Sequence, residues 1–230
     1  MFAHALILRG LAASGYSHMQ RKRTDSLDPR KKPRQRRSRV TVETIFEATI
    51  QVLLANGLEA ITTTQIAARA GVGVGSLYQY FPNKNALLAA VVQRHVGEVV
   101  DTTIAACRSV HGAGIREMCA TMMSAFVDAK TRRPEVSRAL YLPSAAVNAD
   151  AIVRAESIRC AQAIQQMLGS ARDVKIAELQ VVSRTLAGSI IAPTRAVIES
   201  GGSRADFERL KLHLTALGVG YLTEMSAVKA

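Results

Sequence analysis

Apolar residues recur every three or four positions over most of the chain beyond residue 40, which is the spacing of helices that bury one face. The first such stripe starts at Val42, and Gly57 is expected to end its helix as a left-handed cap. No segment shows a strand pattern that competes with the helical one. The hydrophobic pattern therefore predicts an all-α chain.

Two short helices joined by a glycine turn are predicted next, between residues 62 and 84. Thr62 or Thr63 can cap the first helix, and Gly71 suits the sharp turn because glycine adopts positive φ without strain. The second helix starts near Val74 and stops at Pro82. Its polar positions are Ser76, Tyr78, Gln79 and Tyr80. This pattern is typical of a helix-turn-helix that reads DNA. The alternative is a plain helical hairpin in which the tyrosines are packing residues.

Six further helices are predicted, over residues 85–110, 115–130, 134–143, 149–168, 174–200 and 204–225. Pro193 is expected to kink the fifth of them, because proline has no backbone N–H to donate. The chain contains no Gly-rich phosphate loop, nucleophile elbow or histidine metal motif. An all-helical enzyme that uses His95 or His111 is therefore only a distant alternative.

Charge is distributed unevenly along the chain. Hydrophobic residues make up 48% and charged residues 21%, a balance typical of folded proteins. Residues 1–40 carry 11 Lys and Arg against 2 Asp and Glu, a net charge of +9, which leaves +3 of the total of +12 for the remainder. The basic run at residues 30–39 favours binding to phosphates without reading base sequence. A tail that only improves solubility is the alternative.

The three cysteines, Cys107, Cys119 and Cys160, are widely spaced in apolar helical patterns and form no CxxC motif. They are expected to be reduced and buried in a cytoplasmic protein, and a redox-sensing role is left open. Residues 2–11 fit neither a signal peptide nor a membrane span, since no basic segment precedes them. Met19 is a second possible start of translation.

The run AGVGVGSLYQYFPNK at residues 70–84, with the preceding TTTQIA and the helix VETIFEATIQVLLANG, resembles the N-terminal domain of the TetR family of transcriptional regulators. The resemblance covers residues 39–99. It implies a three-helix DNA-binding head at 39–99, which includes the start of a linker helix, and a helical ligand-binding and dimerisation domain at 100–230. Residues 1–38 are expected to form a basic, disordered arm.

The resemblance also implies positions that contact DNA. The phosphate contacts fall on Thr63, Tyr80 and Lys84, and the base-facing positions on Thr64, Val74, Gly75, Ser76, Tyr78 and Gln79. The arm contacts fall on Arg34, Arg36, Arg37 and Arg39. The chain departs from the family at Gly73 and Val74, where many members have polar side chains. Val74 can contact a thymine methyl group but cannot form a hydrogen bond.

The helices of the body suggest two further sites. A dimer interface is expected on the last two helices, at Leu179, Val182, Leu186, Ile190, Leu210, Leu214, Leu217 and Tyr221. An intramolecular hairpin is the alternative for these positions. An effector pocket is expected at Met118, Met122, Met123, Phe126, Tyr141 and Met167, because methionine adapts to irregular apolar ligands. Plain hydrophobic core is the alternative.

The sequence thus predicts a homodimeric repressor that binds a near-palindromic operator. A small apolar or amphipathic effector would release it from DNA. Neither a cofactor, a metal, a membrane nor an enzymatic activity is expected. A transcriptional activator and an effector-independent DNA-binding protein of the same fold are the alternatives.

Overall fold

In the computed structural model, residues 36–147 and 149–227 are described, and within these ranges the chain forms eleven helices and no strand. The helices are α1 Arg36–Ala60, α2 Thr63–Ala70, α3 Val74–Tyr80, α4 Lys84–Ser109, α5 Ile115–Thr131, α6 Pro134–Ala139, α7 Tyr141–Ala146, α8 Asp150–Gly169, α9 Leu179–Ser189, α10 Ile191–Glu199 and α11 Arg204–Ala227. The prediction of an all-α fold is confirmed.

The head consists of α1, α2, α3 and the first half of α4, packed around one apolar core. The stripe predicted on α1 is buried, and Ile45 at its centre has no exposed surface. From α2 and α3, Ile66, Leu77 and Phe81 close the core. Helix α6, Leu140 after it and the turn between α7 and α8 cover the same core from the side of the body.

The start of α1 differs from the prediction. The helix begins at Arg36, three residues before the predicted start of the head at residue 39, so Arg36, Arg37 and Arg39 belong to its first turns. Arg39 is exposed. Arg34 and the rest of the basic segment lie outside the described residues. At the other end, Gly57 interrupts α1 with φ 74° and ψ 175°. Its φ is positive as expected, but its ψ is not that of a left-handed cap, and helical residues continue to Ala60.

The body is built around α5, which packs between α4 and α11, while α8 packs against α4 and α9. Its core contains the aliphatic side chains of these helices together with four methionines that have no exposed surface. Helix α4 spans about 39 Å at 1.5 Å per residue and contributes to both cores. Val96, halfway along α4, contacts the head core and the body core.

Two predicted helices are divided in the structure, each by a proline. Pro193 cannot donate to the carbonyl of Ser189 four residues earlier, and the helix is broken there into α9 and α10. The expected kink at Pro193 is therefore confirmed. Pro143 likewise cannot donate to Ala139, where α6 ends and α7 follows.

Residues 170–178 were predicted to be partly helical, but they form a loop that closes the turn between α4 and α5. The Ser170 hydroxyl accepts from the Gly112 N–H at 2.9 Å, and the Asp173 carboxylate accepts from the Ile115 N–H at 3.1 Å. The Arg172 N–H donates to the carbonyl of Ala113. These bonds satisfy backbone groups at the start of α5, which explains why the loop is preferred to another helical turn.

Candidate nucleic-acid interface

Helix α2 starts with a reciprocal cap. The Thr62 hydroxyl accepts from the Gln65 N–H at 3.2 Å, and the Gln65 side-chain oxygen accepts from the Thr62 N–H at 2.9 Å. The spacing T-x-x-Q signals such a capping box in the sequence, so Thr62 could have been chosen over Thr63 as the cap. The cap fixes where α2 begins and leaves Thr63 in its first turn.

The turn between α2 and α3 has the predicted conformation. Gly71 has φ 67° and ψ 29°, and the N–H of Val72 donates to the carbonyl of Ala67 at 3.0 Å. Helix α3 then starts at Val74 behind Gly73, which provides no side-chain cap. Since Leu77 is fully buried against the head core, the remaining faces of α3 are directed outwards.

Most of the predicted base-facing positions lie on this open surface. Thr64, Gly75, Ser76, Tyr78 and Gln79 are exposed, whereas Val74 is partly buried against the head core. Hydroxyl and amide groups of this kind can form hydrogen bonds with base edges in the major groove. The surface therefore combines a rigid helix, polar side chains and a glycine that permits close approach.

The structure adds a contact that the sequence analysis missed. The hydroxyls of Thr63 and Tyr78 share a hydrogen bond at 3.1 Å, which joins the first turn of α2 to α3. Spacing along the chain gave no signal for this contact, because it depends on how α2 and α3 cross. It holds the Tyr78 hydroxyl beside the N-terminus of α2, where backbone N–H groups favour an anion.

The other two residues predicted to contact phosphate, Tyr80 and Lys84, both contact residues of the head. Tyr80 is partly buried, with its ring centre 6.4 Å from that of Phe81. Lys84 donates from Nζ to the carbonyl of Ile61 at 3.2 Å. An ammonium group has three donors, so two remain for a phosphate. Both side chains are therefore positioned at the edge of the surface that α2 and α3 present.

Two family models match the chain in succession and together span most of it. The model described as bacterial regulatory proteins of the tetR family matches residues 45–91, which cover α2, α3 and most of α1. The model described as the tetracyclin repressor-like C-terminal domain matches residues 115–222 of the body. The chain belongs to the TetR family of transcriptional regulators. Its head is the DNA-binding domain of that family.

Matches to known TetR relatives cover about a quarter of the chain. The transcriptional repressor KstR of Mycolicibacterium smegmatis is 41% identical over 61 residues, which are 26% of this chain and 28% of KstR. The regulator BetI of Yersinia pestis is 40% identical over 65 residues, which are 27% of this chain and 33% of BetI. The chain thus aligns with about a third or less of the length of these relatives.

Solved TetR structures resemble the whole described fold. A putative TetR-family regulator from Mesorhizobium loti has a TM-score of 0.69 at 14% identity, over 83% of this chain and 98% of that one. The fatty acid degradation regulator FadR from Bacillus halodurans has a TM-score of 0.64 at 17% identity, over 83% of this chain and 97% of FadR. At these identities the likeness concerns the fold alone.

The prediction for the TetR dimer interface needs correction. Five of its members are buried in the core of their own chain, packed by α5 and α8: Val182, Leu186, Ile190, Leu210 and Leu214. Leu179 and Tyr221 are partly buried against the same core, and only Leu217 is well exposed, at 51%. These apolar residues were correctly predicted to be buried, but they are buried by their own chain and not by a partner. The outward faces of these helices carry Val181 and Leu212 instead.

The residues of the expected effector pocket are also core. Met118, Met122, Met123 and Met167 are fully buried, and Phe126 is 8% exposed, so they pack as plain core in this structure. Tyr141 lies at the edge of that core. A cleft of about 560 Å³ lies elsewhere, between α1 of the head and α4 to α6, and none of the six residues lines it.

One ion pair across this cleft joins the head to the body, and a second lies within the head. Arg133, between α5 and α6, forms a two-pronged contact with Glu47 on α1 at 2.9 and 3.1 Å. Their charges and hydrogen bond lower the pKa of Glu47 and raise the pKa of Arg133. Arg94 on α4 pairs with Glu43 on α1 and lies over the ring of Phe46. The head is thus attached to the body by polar contacts on one side.

His95 is half-buried, and the three cysteines are buried. The Nε2 of His95 on α4 lies 3.1 Å from the hydroxyl of Ser137 on α6. Burial and the charges of Lys130 and Arg133 lower its pKa to about 4. The three thiols are free and buried, as predicted. Burial raises the pKa of Cys107 and Cys119 to about 12, so thiolate chemistry is disfavoured at neutral pH.

Within the described ranges, the structure has no helix long and apolar enough to cross a bilayer.

Proposed function

We propose that this TetR-family chain is a homodimeric repressor that acts in the cytoplasm, binds a near-palindromic operator and leaves it when a small amphipathic ligand binds the body. The observation that carries the proposal is the polar, exposed surface of α3, held rigid by the buried Leu77 and by the capped α2. Helices presented in this way enter the major groove of DNA.

On this surface we assign base reading to α3. Ser76 and Gln79 are exposed and can exchange hydrogen bonds with base edges. Tyr78 has a double role: the residue is 39% exposed, while its hydroxyl lies beside Thr63 at the N-terminus of α2. We infer that this pair of hydroxyls meets one backbone phosphate and that the ring packs against the neighbouring bases.

We assign the part of the DNA affinity that does not depend on base sequence to cationic groups at the starts of α1 and α4. Lys84 lies at the start of α4, and Arg39 is exposed near the start of α1. Arg36 and Arg37 precede it in the same helix, and Arg34 completes the proposed set. Such contacts release condensed counterions, so the binding they contribute weakens as salt rises.

We propose that dimerisation uses the outward faces of α9 and α11. Val181 on α9 is 56% exposed, and Leu212 and Leu217 on α11 are 71% and 51% exposed. A side chain added at Gly188 or Gly220 would meet no atom within 4 Å, so both helices have open positions that a partner helix can approach. A symmetric pair of such faces places two heads on successive half-sites of DNA.

Release by a ligand requires that the ligand bind one arrangement of the heads better than the other. In this chain α6 is one contact between body and head, because it packs against α1 and α10. The Arg133–Glu47 pair lies at its N-terminal end. A ligand that moves α6 would therefore move α1 and change the distance between the two α3 helices.

The test is selection of bound DNA from random sequence by the full-length protein. We expect enrichment of two inverted half-sites whose centres lie about 34–36 Å apart, or a multiple of that distance. Absence of any enriched sequence would contradict the proposal. Placing the selected site in a promoter separates repressor from activator: the protein should lower transcription, and a rise would favour an activator.

A further inference from the structure

Three polar side chains meet at a corner of the body where α5, α7 and α10 converge. Lys130 lies in the last turn of α5, Tyr141 is the first residue of α7 and Arg195 lies in α10. The Lys130 Nζ lies 5.2 Å from the centre of the Tyr141 ring, and the Arg195 Cζ lies 4.5 Å from the same point. Two cations therefore share one aromatic ring.

The hydroxyl of Tyr141 is buried and forms no hydrogen bond. Among the described residues, it is the one buried side-chain polar atom without a partner. Leaving such a group unpaired costs its full desolvation penalty, so native structures rarely retain one without a reason. Burial also raises the pKa of Tyr141 to about 12, which keeps the hydroxyl protonated and able to donate.

The ammonium of Lys130 also lacks a counter-ion. Arg195 is paired with Glu199 at 2.7 Å, but no carboxylate among the described residues pairs with Lys130. Burial and the charge of Arg195 lower the pKa of Lys130 to about 8, so the cation is present but unfavourable at neutral pH. The corner thus holds one unbalanced positive charge beside one unused hydrogen-bond donor.

We propose that this corner binds the carboxylate of a small organic monocarboxylic acid. Lys130 supplies the ion pair, Tyr141 donates a hydrogen bond and Arg195 adds a favourable field. One uncompensated positive charge matches one negative charge, which favours a carboxylate over a phosphate dianion. The ring of Tyr141 packs against the body core, so the ligand's apolar part would face aliphatic side chains.

This inference rests on the proposed function and names the chemistry of its effector. Lys130 and Tyr141 flank α6 on either side, so an anion between them acts at both ends of that helix. The Ser137 hydroxyl on α6 donates to the Lys130 carbonyl at 2.7 Å. Because α6 packs against α1, a shift of either flanking residue reaches the head.

The test is calorimetric titration of the full-length protein with straight-chain carboxylates from acetate to decanoate and with the 1-alkanols of the same lengths. We expect at least one carboxylate to bind, about tenfold or more tightly than its alkanol. Lys130→Met and Tyr141→Phe should each weaken that binding about tenfold, by loss of the ion pair or of the hydrogen bond. Lys175→Met removes an exposed lysine in the loop before α9 and should leave the affinity unchanged.

Thermal unfolding separates a binding role from a structural one. Tyr141→Phe removes a buried hydroxyl that has no hydrogen-bond partner, and Lys130→Met removes a cation that has no counter-ion. Neither variant should therefore lower the unfolding midpoint. A marked fall in both midpoints would show that the groups serve the fold and would overturn the inference. It is equally overturned if no carboxylate binds, if carboxylates and alkanols bind alike, or if neither variant changes the affinity.

A DNA-release assay then tests the effector role. The bound carboxylate should dissociate the wild-type protein from its selected operator, and Lys130→Met should require about tenfold more of it. If the carboxylate binds but does not dissociate the protein from the operator, the carboxylate is not an effector. Failure to select any operator would instead contradict the proposed function, whatever the calorimetry shows.

Discussion

The charge of His95 is set by its position at the junction of head and body. In the unfolded chain its pKa is 6.5, whereas burial and the charges of Lys130 and Arg133 lower it to about 4 in the folded chain. Between these values the unfolded chain binds more protons than the folded one. The neutral histidine therefore stabilises the fold above pH 6.5, and this contribution is lost as the pH falls towards 4.

We predict that His95→Gln reduces the pH dependence of stability. Between pH 7 and pH 4.5 the free energy of unfolding of the wild type should fall by about 2 kcal/mol more than that of the variant, from this histidine alone. Glutamine can keep a hydrogen bond to Ser137. Urea unfolding at the two pH values measures the difference, and His111→Gln, at an exposed position, is the matched control. Equal falls in wild type and His95→Gln would contradict the assignment.

The turn of the DNA-binding unit depends on the backbone conformation of one glycine. A Cβ at Gly71 would meet no atom within 4 Å, so its positive φ of 67° is the only obstacle to a larger residue. We predict that Gly71→Ala lowers the free energy of unfolding by about 1–2 kcal/mol. Gly75→Ala has the same open space within α3 and should raise it by about 0.5–1 kcal/mol. Similar effects of both substitutions in urea unfolding would argue against backbone strain as the cause.

At the scale of the helices, the sequence predicted the elements of the head well because local signals determine them. The stripe on α1, the positive φ at Gly71 and the start of α3 at Val74 all follow from spacing and glycine chemistry. The loop at 170–178 could not be predicted, because its hydrogen bonds go to the start of α5, more than fifty residues away. The hydrogen bond between Thr63 and Tyr78 could not be predicted either, because it also joins two separate helices.

The close packing of α11 on α5 depends on Gly218. A Cβ there would lie 3.1 Å from both Cys119 Sγ and Met123 Cε and 3.3 Å from Leu186 Cδ1. We predict that Gly218→Val lowers the free energy of unfolding by about 1–3 kcal/mol, because a fully packed core must shift to admit it. Gly97→Val, at an open position of α4, should change it by less than about 1 kcal/mol. A stable Gly218→Val variant would mean that α11 packs less closely than described.

At the scale of the whole molecule, the amphipathic pattern showed which faces are buried but not what buries them. Leu186 and Leu214 were assigned to a partner chain, yet both lie in the core that their own chain forms. The proposed dimer interface therefore has to be sought among exposed residues. The exposed leucines of α11, Leu212 and Leu217, are the strongest candidates.

We predict that Leu212→Glu combined with Leu217→Glu converts the protein to monomers, because two charges would be buried in the proposed interface. Sedimentation velocity of the full-length protein measures the change. Leu142→Glu, at a leucine on α7 that is 70% exposed, is the matched control and should leave the dimer intact. A dimer that survives the double substitution would place the interface on another face.

The central claim is that α3 reads base sequence, and one titration tests it most directly. Fluorescence anisotropy measures binding of the selected operator and of scrambled DNA at several salt concentrations. Three proteins are compared: the wild type, an α3 variant with Tyr78→Ala and Gln79→Ala, and an α8 variant. The α8 variant carries Gln162→Ala and Gln166→Ala on the exposed face of that helix. The α3 variant should lose about 10- to 100-fold in operator affinity, while its binding to scrambled DNA and the salt dependence of that binding remain close to wild type. The α8 variant should match wild type throughout. An equal loss of affinity for both DNAs, or no loss for either, would contradict the account.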